Sequence, residues 1–383
     1  MMDRNDQKYW IALKSVDGVG NIGFKNLIDA FGNPQSVFNA SLHTLTVVPG
    51  IGKITAANIK DFNEWNKIEE ELELIKKHDA RIITYQDLIY PKSLLNIYDF
   101  PPFLYVKGLL QEDDINIAVV GSRLASTYGK FSTERLCREL ALKGITVVSG
   151  LARGIDSAAH KGALAGGGRT IAVLGCGLDV IYPSENEKLY AEIVSQGAVI
   201  TEFSFGSPPA ASNFPARNRI ISGISLGVVV VEANEKSGSL ITARLALEQG
   251  REVFAVPGSI DSAGSRGTHK LIKQGAKLIE NVHDILEEIL PQVDKTTEHS
   301  RNVRTSGQDK HEKNVTQETK VFSGLTDIEN AMLKVISSKA IDVDGIIIAT
   351  GLKPNDALNI LLTLELRGII KQLPGKKFIL NKE

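Results

Sequence analysis

Cysteine is almost missing from this chain: two occur in 383 residues, Cys137 and Cys176. That is too few, and too widely spaced, for a disulfide framework or a cysteine-held zinc site. Excess charge is missing too, since 44 Lys and Arg face 45 Asp and Glu for a net charge of −1. A protein that coats nucleic acid with its entire surface would be strongly basic, so any polyanion site must be local. No apolar run approaches about 18 residues, and the N-terminal MMDRNDQKYW has no apolar segment of the secretory kind. A cytoplasmic protein without a membrane span is expected. The seven histidines (43, 78, 160, 269, 283, 299 and 311) show no metal-ligand spacing, so no metal is expected. What remains is ordinary globular material, 43% hydrophobic and 23% charged, which excludes a fibrous or fully disordered chain. The length allows two to four domains of about 100–200 residues.

Residues 291–324, from Pro291 to Gly324, are dominated by Lys, Glu, Thr, Asn, Gln and Ser, with four valines and one Phe. Such a stretch buries too little apolar surface to offset its chain entropy and reads as a flexible linker. The divisions expected are a helical domain over 1–75, a main domain over 76–290, the linker, and a small domain over 325–383. In the first domain Gly18-Val19-Gly20 and Gly50-Ile51-Gly52 lie 32 residues apart, each ahead of a helix-like apolar pattern. Each has the form of a helix-hairpin-helix turn, able either to aim free N–H groups at a phosphate or merely to join two packed helices.

The main domain alternates short β-branched runs with helix-like stretches: 115–121, 145–150, 170–175, 198–203, 226–233, 251–258 and 276–280. Continuous apolar strands separated by 10–20 residues suit a doubly wound α/β sheet, mostly parallel, covered on both faces. Ligands of such sheets sit beyond the carboxyl ends of the strands. The loops there carry Arg123, Arg153, Arg217 and Arg219, glycines 121, 150, 154 and 238, and the hydroxyls of Ser122, Ser239 and Thr242. Glycine admits an oxyanion close to the backbone and arginine forks grip phosphate, so the set reads as a polyanion crevice. Phe214, just before Pro215 and close to Arg217 and Arg219, could stack on a base or serve as a hydrophobic staple for a helix over 216–223.

Nucleotide fingerprints fail in detail. Gly175-Cys176-Gly177 runs into Tyr182-Pro183 where a dinucleotide fold needs an opening helix, and neither Gly52-Lys53 nor Gly129-Lys130 completes a P-loop. No cofactor is expected. His160, four residues after Asp156, offers a candidate base and its orienter, or an N-cap and a packed histidine. No nucleophile is forced, and no catalytic residue is assigned.

In order and spacing, the strings GSR-x-x-S-x-YG, SGLARGID-x-x-AH, AVLG-x-GLD-x-x-YP, FP-x-RNRIISG-x-S, VVVVEA, SGSLITA and VFAVPG, between about 117 and 280, resemble the DNA-processing protein A (DprA or Smf) family. The resemblance implies an extended Rossmann-like core, an N-terminal SAM-like or helix-hairpin-helix domain and a C-terminal winged helix. It also implies a single-stranded DNA-binding recombination mediator rather than an enzyme, one that protects incoming strands in natural transformation, helps load RecA and acts as a homodimer. Carried over by motif, Gly121, Ser122 and Arg123 would contact the phosphate backbone, with Arg153 and Gly154 lining the pocket. Phe214, Arg217 and Arg219 would add stacking and charge, and Gly150 and Ser239 complete the DNA-binding set. Two departures stand out: Ala210-Ala211-Ser212-Asn213 lacks the basic residue some members carry before FP, and Thr201-Glu202-Phe203-Ser204 replaces the common SE-x-P.

The tail supports a winged helix by itself. Thr326 or Asp327 caps a first helix, Asp344 opens a second, Gly351 to Pro354 turn into a third, and IIKQL and KKFIL form a two-stranded wing. A competing reading is a Rossmann-fold nucleotide hydrolase acting at the N-glycosidic bond of nucleoside monophosphates. Pro257-Gly258-Ser259 and Gly267-Thr268 are its only echo, without the PGG-x-GT-x-x-E run of that group.

Overall fold

The computed structural model describes residues 4–290 and, of the C-terminal segment, positions between 332 and 380 that include 341–350, 369–373 and 377–380. The chain divides into two compact units, residues 1–307 and 308–383.

The first unit opens with six helices: α1 (Arg4–Ser15), α2 (Asn21–Phe31), α3 (Pro34–Asn39), α4 (Leu42–Thr46), α5 (Lys53–Lys60) and α6 (Trp65–Lys77). The repeat seen in the sequence is a structural one. Gly18 and Gly50 take φ of +87° and +81°, a conformation glycine adopts without penalty, and Val19 and Ile51 turn into the core behind them. The two halves then bond reciprocally. Asn58 Nδ2 donates to Asp17 O at 3.0 Å, and Asn26 Nδ2, 32 residues earlier, donates to Pro49 O at 3.0 Å.

The sheet has nine strands: β1 (Ala80–Thr84), β2 (Phe103–Gly108), β3 (Asn116–Gly121), β4 (Thr146–Ser149), β5 (Thr170–Val173), β6 (Ala198–Thr201), β7 (Gly227–Val231), β8 (Glu252–Ala255) and β9 (Lys277–Leu278). Their order is β1-β2-β6-β5-β4-β3-β7-β8-β9. All seven expected runs are strands and pair in parallel, with Ala118 set against Val148 on one side and Val228 on the other. β1 and β2 form an antiparallel extension that the sequence reading passed over, in which β2 alone runs against the rest. Their segments, ARIIT and FLYVKG, carry charge within short runs.

Alternate strand residues serve opposite faces. Ile117, Val119, Val147, Val229 and Val231 pack with Leu136 and Leu140 of α7 (Thr127–Leu142) and Ile155 and Ala159 of α8 (Ile155–Ala165). Ala118, Val120, Val148, Val228 and Val230 pack with Ile220 and Ile221 of α10 (Asn213–Gly223) and Ala243 and Ala246 of α11 (Gly238–Glu248). The helix α9 (Glu187–Gln196) joins a third cluster that runs unbroken from Trp10, Phe24 and Leu72 to Ile82, Tyr105 and Val199. The boundary expected after residue 75 therefore falls inside a shared core, at the passage from α6 to β1. At about 1.5–3 kcal/mol per buried large aliphatic side chain, that joint is a substantial tie. A further helix, α12 (Arg266–Lys273), precedes β9, and residues 282–290 are helical.

In the second unit α13 (Val343–Thr350) accompanies a small antiparallel sheet in the order β10-β12-β11, made of β10 (Ile341–Asp342), β11 (Ile370–Leu373) and β12 (Lys377–Leu380). Met332, Ile336, Ile346, Leu361, Leu364 and Phe378 form its core. The expected wing is β11 and β12, and β10 adds a third strand too short to leave a pattern in the sequence. The linker 291–324 and the cap at Thr326 or Asp327 lie outside the described residues, as do Asp356 and Arg367.

Candidate nucleic-acid interface

Strand order reverses at β3: β4, β5 and β6 follow on one side, and β7 and β8 lie on the other. Such a reversal leaves a cleft at the carboxyl ends of the two diverging strands. Here the cleft is a crevice of about 440 Å³, walled by residues 120–124 after β3, Ala152 and Asp156 before and within α8, residues 214–221 of α10, and residues 234–242 at the start of α11.

The glycines of the site make room mainly for the protein itself. A Cβ on Gly121 would lie 1.8 Å from Val231 O, and one on Gly150 would lie 2.0 Å from Arg217 Nη1. Gly154, at φ +75° and ψ −119°, lets the Ser122 carbonyl approach and accept from Ile155 N at 3.1 Å. The Gly150 N–H, expected to face an oxyanion, instead donates to Asp156 Oδ2 at 3.1 Å, and Ala152 N donates to the same oxygen at 3.4 Å.

At the mouth three side chains converge. The Arg123 Cζ lies 5.1 Å and the Arg217 Cζ 6.0 Å from the ring centroid of Phe214. Tyr182 adds a tilted ring 5.8 Å away. Phe214 is half-buried and belongs to α10, which begins at Asn213 rather than at 216, so the ring sits in the helix's first turn and not ahead of it as a staple. Arg217 is buried beneath this group. Its Nη1 donates to Val173 O while its Nε finds no partner among the described residues. Burial pushes the Arg217 guanidinium down and the Asp156 carboxyl up, and the attraction between the two opposes both shifts. The result is a desolvated cation with spare donor capacity behind a half-buried aromatic ring.

Other expected site residues are placed differently. Arg219 does not reach the crevice: two positions beyond Arg217 on a helix of 3.6 residues per turn, it points to the other side of α10. There it pairs with Glu202 at 2.5 Å and Asp99 at 3.1 Å. Arg153 is exposed and forks onto Glu185, a contact that holds its guanidinium up and the Glu185 carboxyl down. With Tyr182, Pro183 and Phe214 it borders a small recess beside the crevice. The Ser122 Oγ accepts from Leu124 N at 3.1 Å, and Ser239 is buried in the crevice wall with its Oγ 2.8 Å from Ser237 Oγ.

The pairing of Asp156 with His160 is not made. Asp156 is taken up by the 150–152 backbone, whereas His160, fully buried, places Nδ1 2.7 Å from Thr170 Oγ1. The Thr170 hydroxyl donates to Val147 O, so Nδ1 carries the imidazole proton and Nε2 keeps a lone pair without a partner among the described residues. Burial lowers the His160 pKa to about 3.

Glu232 was missed by the sequence reading. At φ +49°, immediately after β7, it accepts from Ser126 N at 2.8 Å and from the Ser126 hydroxyl, and its carboxylate fills the space over Gly129 at the start of α7. The α7 N-terminus is thereby occupied by the protein's own anion. The only signal was an acidic residue directly after VVVV.

The fold and this site define an α/β protein with a cationic, aromatic-lipped crevice at its switch point, in a chain that also contains a helix-hairpin-helix tandem and a winged helix. The sequence model of the family described as DNA recombination-mediator protein A matches residues 81–290, that of the DprA winged helix domain residues 319–376, and that of a SAM-like helix-hairpin-helix tandem residues 11–62. Protein Smf of Synechocystis sp. is 34% identical over 98% of this chain and 99% of its own length. Protein Smf of Escherichia coli is 50% identical over 224 residues, 58% of this chain and 60% of that protein. The chain belongs to the DNA recombination-mediator protein A family. Among solved structures, DprA from Streptococcus pneumoniae superposes with a TM-score of 0.65 at 38% identity, covering 73% of this chain and 97% of that one. DprA from Helicobacter pylori, described for its single-stranded DNA binding mode, gives a TM-score of 0.50 at 33% identity over 55% of this chain and 97% of its own.

Proposed function

We propose that the crevice between the ends of β3 and β7 binds single-stranded DNA, with Arg123, Arg153 and Arg217 facing phosphates and Phe214 stacking on a base. The observation that carries this reading is the convergence of Arg123 and Arg217 on the Phe214 ring at the mouth of the switch-point crevice. Backbone-directed contacts of this kind are tolerant of sequence, because guanidinium groups read phosphates and a ring reads any base face. In the cell the chain would act in the cytoplasm as a homodimer that protects an incoming strand and passes it to the RecA recombinase. It works by binding rather than by catalysis: the one acid and base pair suggested by the sequence is spent on structure. Among the described residues no helix is long and apolar enough to cross a membrane.

The test is a mobility shift with single-stranded and duplex oligonucleotides of one sequence, run beside a nucleoside-monophosphate hydrolysis assay. Preferential retardation of the single strand with no base release is expected. Release of free base would favour the nucleotide-hydrolase alternative instead.

A further inference from the structure

A second cavity, of about 520 Å³, lies beside the crevice and has no role in the reading above. The same two loops line both. After β3, Arg123 and Leu124 face the crevice while Ser126 and Tyr128 face the second cavity; after β7, Asn234 to Ser239 wall the first and Glu232 the second. The link from Ser126 to Glu232 stands between them. The far wall comes from the loop after β8, with Ser259, Ser262 and Ser265.

The two cavities differ in chemistry. Among the described residues no cation lines the second, and the charged residue in its wall is Glu232, whose carboxylate is already bonded to Ser126. A phosphate would find no counter-charge there and would face the Glu232 carboxylate. A base would gain a good deal: Tyr128 is 57% exposed, and the Ser259 and Ser262 hydroxyls each accept an N–H from two residues further on, which leaves their O–H groups to donate to a base edge. A cavity of this size falls within the usual range for small-ligand sites, about 300–1,000 Å³.

We infer that this second cavity is a base-binding subsite, which takes a nucleobase of the same DNA strand whose phosphates lie in the crevice, with Tyr128 as its stacking platform. The inference rests on the proposed function, since it is the strand held by Arg123 and Phe214 that continues over the Ser126–Glu232 link. The two cavities then divide the polymer between them, the backbone held by charge in one and a flanking base held by ring and hydroxyls in the other.

Fluorescence anisotropy with labelled oligo-dT of graded length, on the full chain, tests it. Affinity should rise in a step once the oligonucleotide is long enough to leave the crevice. Tyr128→Ala should remove that step, lowering affinity for long oligonucleotides on the order of tenfold while leaving short ones bound as before. Tyr128→Phe, which keeps the ring, should retain it. Equal affinities for wild type and Tyr128→Ala at every length would overturn the subsite and leave the crevice reading standing, as would an equal loss at every length. Full binding by Arg123→Ala would overturn the crevice reading itself, and the subsite with it.

Discussion

Arg217 and Arg219 are two residues apart and do different work. Arg219 meets Glu202, whose side chain is 9% exposed, so Arg219→Ala would strand a nearly buried carboxylate. Breaking such a pair costs about 3–5 kcal/mol, and the low end applies because Lys14 also attracts Glu202. Urea unfolding should therefore show a loss of roughly 3 kcal/mol, with DNA affinity per folded molecule unchanged; a drop in that affinity would return Arg219 to the crevice. The remaining proposed contacts, Arg123, Arg153 and Arg217, would set the salt dependence. At roughly −0.7 per phosphate on a single strand, log K should fall against log salt with a slope of about −2, and Arg123→Ala should shrink it by about 0.7. A flat dependence would sink the assignment. His160 gives a pH signature. Unfolded, it takes up a proton near its ordinary 6.5; folded, it resists until about 3. The unfolded state binds more protons in that window, so stability is full above about pH 6.5 and drains as pH falls toward 3. The stability gap between wild type and His160→Gln should narrow by about 2 kcal/mol between pH 7.5 and 5. Asp156, pushed upward, acts in the opposite sense, and because it is present in both proteins it drops out of the comparison. A gap that stays constant would mean that His160 is charged or unburied.

Among the elements, the helix-hairpin-helix tandem shows how far a sequence repeat carries. The spacing of Gly18 and Gly50 was legible because only glycine suits φ near +85°, and the same 32-residue step relates Asn26 to Asn58 and Asp17 to Pro49. Each asparagine bonds a carbonyl of the opposite half, so Asn26→Ala and Asn58→Ala should each cost about 1 kcal/mol, measurable as similar falls in Tm. A fall for one alone would show that the two halves are not equivalent. The parallel strands were legible for a similar reason, because burial on both faces demands unbroken runs such as VVVV. β1 and β2 were not, since Arg81 and Lys107 interrupt short strands, and the direction of β2 depends on β6, which is distant in sequence. The crevice was legible as a set of loops and not as a set of contacts. Arg217 and Gly150 could be placed together by topology, but that one fills the space left by the other, and that Arg219 turns away, depends on the rotation of α10.

For the molecule as a whole, the question is how DNA affinity is shared between its units. The proposed crevice is formed entirely by residues 120–242 of the first unit. The segment from 325 to 383 holds eight basic and seven acidic residues, a balance of +1 that offers a phosphate backbone little attraction despite a winged-helix shape commonly used for DNA. Its apolar residues are the better guide to its role, which we expect to be contact with a protein partner or a second copy of the chain. Ending the chain after Leu290 should accordingly leave single-strand affinity within about tenfold of the intact protein, a difference of under 1.4 kcal/mol, while altering assembly. The measurement is a matched titration of intact and shortened protein at one salt concentration, with light scattering on both to follow mass and far-UV circular dichroism to verify folding. A loss well beyond tenfold, in a shortened protein that is folded and of unchanged mass, would mean that the winged helix is itself a principal DNA-binding surface and that net charge is a poor measure of what a recognition helix can hold.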